Sequence, residues 1–433
     1  MKFLIKVFFT LILFFFIYNP PISVLPMNTG IIIGGLFFVS YLGNLIVKIF
    51  CSKSILLSKR LLHVLFLIVF IALYSFMVSI VSGSGDIQPF KTYFSFLLFF
   101  IPGSFGIVHW MRKYYSSIEV IKILIGVFVL QSMVILFMLV NPAVKTFLFS
   151  VLRDGSARIE KNLASGGFRF LGFAYNTTWD LSIVQSMGIM SIALLFKIDK
   201  TEINIKNTLS FILLAISVFL TGRTGFFGIM FAILIIIIPN TLKGIPFSVL
   251  LRFLGKIFVV CIPLVFLVKS FLPSSVMEII DKNVLPWAFE MFQNDSGGKL
   301  ETASSNEVKT MYFTPPLKTL LIGDGYYVNP YDNTRYYMDT DVGYMRHILF
   351  YGIVGLLLIA SIYISIFYQM FIFSSSISES VSVKIFVVLL GLYYFVSHLK
   401  GDLFLGSDIP IKALFTFYAV FYFYKDSNKT KLI

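Results

Sequence analysis

The chain has 433 residues, 58% of them hydrophobic and only 13% charged, with a mean hydropathy of +0.90. Those proportions leave too few polar groups to cover a water-soluble globule of this size, which makes it a polytopic membrane protein. The formal net charge of +14 does not indicate a nucleic-acid partner, because residues 273–345 hold ten acidic groups against five basic ones and the positive excess lies mostly in short connections between apolar runs.

In chain order, runs able to cross roughly 30 Å of hydrocarbon as helices fall near 3–18, 29–50, 61–82, 92–110, 117–140, 179–196, 208–220, 224–239, 257–272, 346–372, 385–398 and 411–424. Backbone groups without water must be paired within the segment, so the expected fold is all-α, with about twelve transmembrane helices and a large outer loop before the tenth. The first run has Lys2 and Lys6 ahead of its apolar core, as a secretory signal would, but Asn19-Pro20-Pro21 follows with no small-x-small cleavage site. It is therefore read as a span. The chain divides into spans one to nine (1–272, including an outer loop at 141–178), the loop 273–345, and spans ten to twelve with the tail (346–433).

The positive-inside bias sets the orientation. Segments 51–60, 111–116, 197–206 and the tail carry Lys53, Lys59, Arg60, Arg112, Lys113, Lys197, Lys200, Lys206, Lys425, Lys429 and Lys431, whereas 19–28 has no Lys or Arg and 83–91 has only Lys91. Both termini are expected in the cytoplasm, and 141–178 and 273–345 on the outer face. The outer loop 141–178 has a surplus of three positive charges, from Lys145, Arg153, Arg158, Lys161 and Arg169 against Asp154 and Glu160. A basic loop beside an acidic one suits a lipid-linked phosphate and a sugar hydroxyl: the arginine fork binds the first, and a carboxylate takes a proton from the second.

Within GGFRFLGFAYNTTWDLS, Arg169, Gly172, Asn176 and Asp180 come near a common region if the loop re-enters the interface. Arg223 stands between two short apolar stretches, flanked by Gly222 and Gly225 with Thr221 and Thr224 beside it. A guanidinium so placed is costly unless paired or functional, and a tight outer-side turn aims it at an anion. The outer segment 273–345 should hold short helices around 275–293 and 305–312, then a turn at Gly323–Gly325. Its tyrosines (Tyr326, Tyr327, Tyr331, Tyr336, Tyr337) offer either a sugar-binding surface or packing against the membrane. Cys51 and Cys261 imply no disulfide framework, the four histidines (His63, His109, His347, His398) are scattered along the chain so that no metal cluster is expected, and no phosphate-binding loop for ATP is present.

These features resemble the O-antigen ligase and polymerase superfamily, specifically the Wzy-type polysaccharide repeat-unit polymerases. The resemblance rests on Arg169, Gly172 and Asn176; on Thr221, Gly222, Arg223 and Thr224; and on Gly323 and Gly325 followed by Asp341, Tyr344, Met345, Ile348, Gly352 and Gly355. It implies an inner-membrane glycosyltransferase acting on an undecaprenyl-diphosphate-linked oligosaccharide, with no cofactor and no metal, and a chain-length regulator of the Wzz type as partner. The growing glycan leaves its lipid diphosphate for the non-reducing-end hydroxyl of an incoming lipid-linked unit. The expected roles place Arg223 and Arg169 on the diphosphate, Asp341 as base or hydroxyl-orienting group with Arg335 or Arg346 as a neighbouring charge, and Arg158, Asn176, Arg335, Tyr344 and Arg346 around the substrate. The related ligases usually carry His-Asn where this chain has Asp341-Val342, which favours the polymerase. A lipid-linked oligosaccharide flippase or other transporter is the alternative, although alternating access places working groups near the bilayer midplane.

Overall fold

In the computed structural model every apolar run among the described residues is helical, and the only β pairing among those residues is two isolated bridges. The described residues are 2–50, 58–153, 171–174, 178–198, 204–242, 255, 274–286, 290, 303–332, 335–375, 380–406 and 408–429. In order, the helices are α1 (Lys2–Tyr18), α2 (Thr29–Phe50), α3 (Lys59–Val81), α4 (Gln88–Met111), α5 (Ser117–Val140), α6 (Pro142–Val151), α7 (Thr178–Ile198), α8 (Ile205–Thr221) and α9 (Gly225–Leu242). Beyond them come α10 (Ser274–Ile279), α11 (Ala303–Thr310), α12 (Leu317–Ile322), α13 (Gly343–Ser374), α14 (Ser380–His398) and α15 (Asp408–Lys429). Among the described residues, α3, α4, α5, α7, α13 and α14 are long and apolar enough to cross a membrane, and apolar stretches of 10–17 residues lie in α2, α6, α8 and α9. The expected span at 257–272 lies outside the described residues, as do Cys51 and Cys261.

Local sequence sets several helix starts. Ser116 and Glu119 form a reciprocal capping box at α5, while Asn141 and Asn204 cap α6 and α8. The centre of the bundle is built from α7 and α15, which α5 joins to α1 and α8 and which pack against α13 and α14. The polar side chains of α7, Ser182, Gln185, Ser186 and Ser191, are fully buried. Ser186 shares a 2.6 Å hydrogen bond with Tyr393 of α14, and Gln185 accepts one of 3.1 Å from Ser132 of α5. Facing polar groups of this kind hold helices together in lipid, where apolar contact with a neighbouring helix is no better than contact with acyl chains.

The two ends of the bundle are each tied together by contacts between connections. At the end here termed lower, Tyr115 donates to the Lys2 carbonyl, Gln369 to the Arg60 carbonyl, and Arg112 lies over the Phe423 ring. At the upper end, Ile22 bridges to Leu152 and Arg153 donates to the Leu25 carbonyl. Also at this end, Asp86 accepts the Tyr327 and Val328 amides at 2.8 and 3.0 Å. The loop 83–91 thus meets the 273–345 segment, and the loop 19–28 meets the start of the segment 141–178. Within that segment α10, continued by a π turn (Ile280–Val284), and α11 stand where short helices were expected, while α6 and α12 were not anticipated.

The expected span at 346–372 is corrected in one respect. Helix α13 begins at Gly343 and is broken at Gly352, where φ is 69° and ψ −175°. The break leaves a half-helix, 343–351, at the upper end, and 22 residues below it, about 33 Å at 1.5 Å per residue, which suffice to cross the bilayer. Unpaired carbonyls are tolerated at such depth only if other groups take them up. Here the Asp324 amide donates to Leu349 O at 2.7 Å, the Gly325 amide to Phe350 O at 3.2 Å, and the Tyr74 hydroxyl to Tyr351 O at 3.2 Å. The Gly323–Gly325 turn therefore serves as the missing turn of a membrane helix. Both sides of the joint require glycine, because a Cβ on Gly352 meets the Leu321 carbonyl oxygen at 2.2 Å and one on Gly323 meets the Phe350 carbonyl oxygen at 2.2 Å, each at positive φ. Gly352→Ala or Gly323→Ala is expected to cost at least the ~1–3 kcal/mol of a backbone held in a glycine-only region. The measurement is thermal unfolding in detergent, with Gly43→Ala, whose Cβ meets nothing within 4 Å, as the neutral control.

Candidate functional site

The half-helix 343–351 carries His347 toward the connection between α14 and α15. There Asp402 folds back on its own chain, its Oδ1 accepting the Phe404 and Leu405 amides at 3.1 and 3.0 Å, as aspartate does in tight turns. His347 Nε2 lies 3.1 Å from the same oxygen, and the Tyr327 hydroxyl donates to Oδ2. All three side chains are buried. Burial by itself pushes the Asp402 carboxyl up, yet His347, hydrogen-bonded to it, with Arg346 and His398 close by, holds it well below the usual carboxylate range. Burial pushes the Tyr327 hydroxyl well up, so it remains a donor at neutral pH.

His398, the last residue of α14, lies over His347 with ring centroids 5.1 Å apart and planes at 18°. The expectation that the histidines stay scattered is thus corrected: His347, His398 and Asp402 place ring nitrogens and a carboxylate oxygen within 4.8 Å of one another. A cation bound by two imidazoles must lie in the plane of both rings. Nearly parallel stacked rings do not provide that, and His398 Nδ1 already accepts the Leu403 amide at 3.1 Å. As arranged, the cluster fits a hydrogen-bonded acid–imidazole pair better than a coordination sphere.

Asp341 immediately precedes this assembly, beyond the start of α13. Its carboxyl is partly buried, and Oδ1 has no hydrogen-bond partner among the described residues. Burial pushes this group up, opposed by Arg346 and Lys400, with Glu307 reinforcing the rise. A carboxylate with an unsatisfied oxygen and a raised proton affinity is what a general base requires. Gly343 lies against the His398 ring, so Asp341 stands beside the imidazole stack without joining it.

The residues expected around Asp341 behave differently from one another. Arg346 is 6% exposed, and its guanidinium is held between the rings of Tyr327 and Tyr336, 3.8 and 3.7 Å from their centroids. Its charge acts on both Asp341 and Asp402, as a neighbouring charge was expected to do for Asp341. The Arg335 ion pairs are with Asp332 at 3.4 Å and Asp339 at 3.8 Å on an exposed turn, and such surface pairs contribute little. Tyr344 donates to the Phe395 carbonyl at 3.0 Å and sets its ring edge-on to His398, contacts that seat α13 on α14. Of the five tyrosines, Tyr327 is buried, Tyr326 lies against Tyr337 at 5.3 Å, and Tyr331 is 97% exposed.

Arg223 occupies the tight turn between α8 and α9, as expected, and is bonded to Glu290 of the 273–345 segment at 2.5 Å. An anion approaching this guanidinium must compete with that carboxylate. The turn joins the rest of the upper end through Trp179: Gly222 lies against Ser182 and Trp179, and Gly401, next to Asp402, lies against the Trp179 ring. Arg223 and Asp341 are therefore on one end of the bundle, with the α14–α15 connection between them. Arg158, Arg169 and Asn176 lie outside the described residues. Leu171–Ala174 does turn inward, with Gly172 packed on Gln131 and Ala174 fully buried, and Asp180 is buried at the start of α7.

Sequence reasoning missed Asp402, Asp86 and Lys412. The available signal for Asp402 was the polar island His398-Leu-Lys-Gly-Asp402 between two apolar runs, with a histidine four residues before the acid. Lys412 is fully buried one turn inside α15, 3.7 Å from Asp408 and over the Phe100 ring. Asp408 in turn accepts from Asn19 at 3.2 Å, which ties α15 to the end of α1. No family model matches the chain, and neither a curated protein nor a solved structure matches it.

Proposed function

We propose that the protein is a glycosyltransferase that polymerises polyprenyl-diphosphate-linked oligosaccharide repeat units at the outer face of a bacterial inner membrane. On this reading the chain crosses the membrane about twelve times, both termini are cytoplasmic, the 273–345 segment is periplasmic, and a chain-length regulator is the partner. Arg223, with Arg169 from the loop 141–178, holds the diphosphate of the donor and stabilises the charge that grows on it as the glycosidic bond breaks. Asp341 takes the proton of the acceptor hydroxyl. The observation that carries the reading is that the turn bearing Arg223 and the partly buried Asp341, with its unpartnered Oδ1, stand at the same end of the bundle.

The test is reconstitution of the full chain in vesicles with a lipid-linked repeat unit, product length being read on gels. Wild type should build a ladder, and Arg223→Ala should lower its rate by about 10²–10³-fold, the usual loss when one oxyanion-stabilising donor is removed. Arg223→Lys should restore little, because an ammonium lacks the paired donors. Unchanged chain length and yield in Arg223→Ala would remove the assigned role. In cells, loss of the gene should leave a surface glycan capped by one repeat unit, whereas loss of a flippase would leave none outside.

A further inference from the structure

A groove of about 670 Å³ opens at the upper end between α3 and the segment 316–326, a size typical of ligand sites. Its two walls differ. One is hydrocarbon, from α3 residues including Met77 and Val81, which are 61% and 81% exposed. The other is polar: Lys318, Asp324, Tyr326 and Tyr337. Lys318 is exposed and meets no acidic partner among the described residues. Asp324 is held in place by Thr319 at 2.9 Å and Tyr337 at 3.3 Å, with Tyr326 and Tyr337 ring to ring beside it. The wall is rigid because the same turn completes α13 through the Asp324 and Gly325 amides.

We propose that this groove seats the acceptor, a polyprenyl-diphosphate-linked sugar, with its isoprenoid along α3, its diphosphate at Lys318 and its first sugars on Asp324 and the tyrosine pair. The inference rests on the transferase reading and adds to it the place of the second lipid substrate. The groove brings together hydrocarbon, a cation, a carboxylate and aromatic faces, the chemistries that lipid, phosphate and sugar call for. The position fits as well. Helix α3 packs on α13, α13 on α14, and α14 on α9, so the start of α13, with Asp341 ahead of it, stands between this groove and the Arg223 turn. Two lipid-linked substrates can then reach one base from opposite flanks without crossing. A single lysine suffices for a diphosphate that stays intact, whereas the leaving diphosphate needs the stronger arginine site.

The experiment uses the full chain in nanodiscs containing phosphatidylglycerol, with a photoreactive benzoylphenylalanine in place of Met77. The probe is undecaprenyl diphosphate carrying N-acetylglucosamine, and adducts are read by mass. The expected result is a sugar-lipid adduct far above its share of the lipid, reduced about tenfold by Lys318→Glu as one charge-assisted phosphate contact is lost. In the polymerisation assay the same variant should raise the acceptor KM and leave kcat. Met77 and Lys318 are both exposed, so neither change threatens the fold. Adducts in proportion to bulk lipid, with acceptor KM unchanged in Lys318→Glu while wild type polymerises, would overturn the groove and leave the transferase reading standing. Selective capture by a protein that forms no polymer would overturn the transferase reading and leave the groove as a lipid-linked sugar site.

Discussion

Replacing Asp402 by alanine is expected to be the most destabilising single change in the upper half of the molecule, at about 3–5 kcal/mol, the usual cost of removing one partner from a buried charged network. Four donors converge on this carboxylate: the Phe404 and Leu405 amides, His347 Nε2 and the Tyr327 hydroxyl. All are buried, so alanine leaves them unpaired and without water. Asp402→Asn keeps an acceptor for the two amides but not the anion, and should lie between alanine and wild type. Tyr327→Phe removes one donor and should cost roughly 1–3 kcal/mol. Thermal unfolding in detergent, followed by size exclusion, orders the three variants. The pH dependence has a definite sign. The folded-state carboxyl is held below its ordinary value, so its contribution is complete above the unfolded carboxylate pKa of about 4 and is lost as pH falls through the depressed folded value. The gap between wild type and Asp402→Asn should therefore be constant near neutrality and close only in strong acid. A gap that closed between pH 7 and 5 would show that the anion is not what holds the network.

The second large effect is expected at Asp341, and there activity and stability should move in opposite directions. Asp341→Asn should reduce polymerisation by about 10²–10⁴-fold, the range for a lost general base. Its melting temperature should equal or exceed that of wild type. The reason is the burial of a carboxylate with an unpartnered oxygen. A carboxyl whose pKa is raised in the folded state binds its proton more tightly there than in the unfolded chain, so ionisation above that pKa subtracts from stability. The uncharged amide escapes this cost. The same raised pKa sets the activity profile: the base is active when ionised, so the rate should rise with pH through a value above the ordinary one for aspartate. Full activity of Asp341→Asn would exclude the base role. A lowered melting temperature together with lost activity would assign Asp341 to structure instead. A site residue that destabilises its own fold belongs to function, and the contrast with Asp402 separates the two acids.

Asp402 and Asp341 also show where sequence reasoning reached and where it stopped. Asp341 was legible because it lies at the boundary between a long polar segment and an apolar run, a position read from one stretch of chain. Asp402 was not, since its partners His347 and Tyr327 are 55 and 75 residues away. Which polar groups meet depends on which helices become neighbours. For Arg346 the sequence showed only a charge close to Asp341; the two tyrosine rings that enclose it come from the preceding loop folding back over α13.

The amino-acid sequence by itself determined the all-helical class, the helical character of the apolar runs among the described residues, the turn at Arg223 and the glycine turn at 323–325. These follow from partition between hydrocarbon and water and from backbone conformation, both of which act on one segment at a time. Only the tertiary structure decided that α13 breaks at Gly352 and is completed by the 323–325 turn, that Arg223 is engaged by Glu290, and that two histidines and an aspartate share a buried centre. Each of those requires a donor to find an acceptor on another element. In a bundle whose helices are all similarly apolar, hydropathy does not encode the pairing, and the satisfaction of buried polar groups selects it.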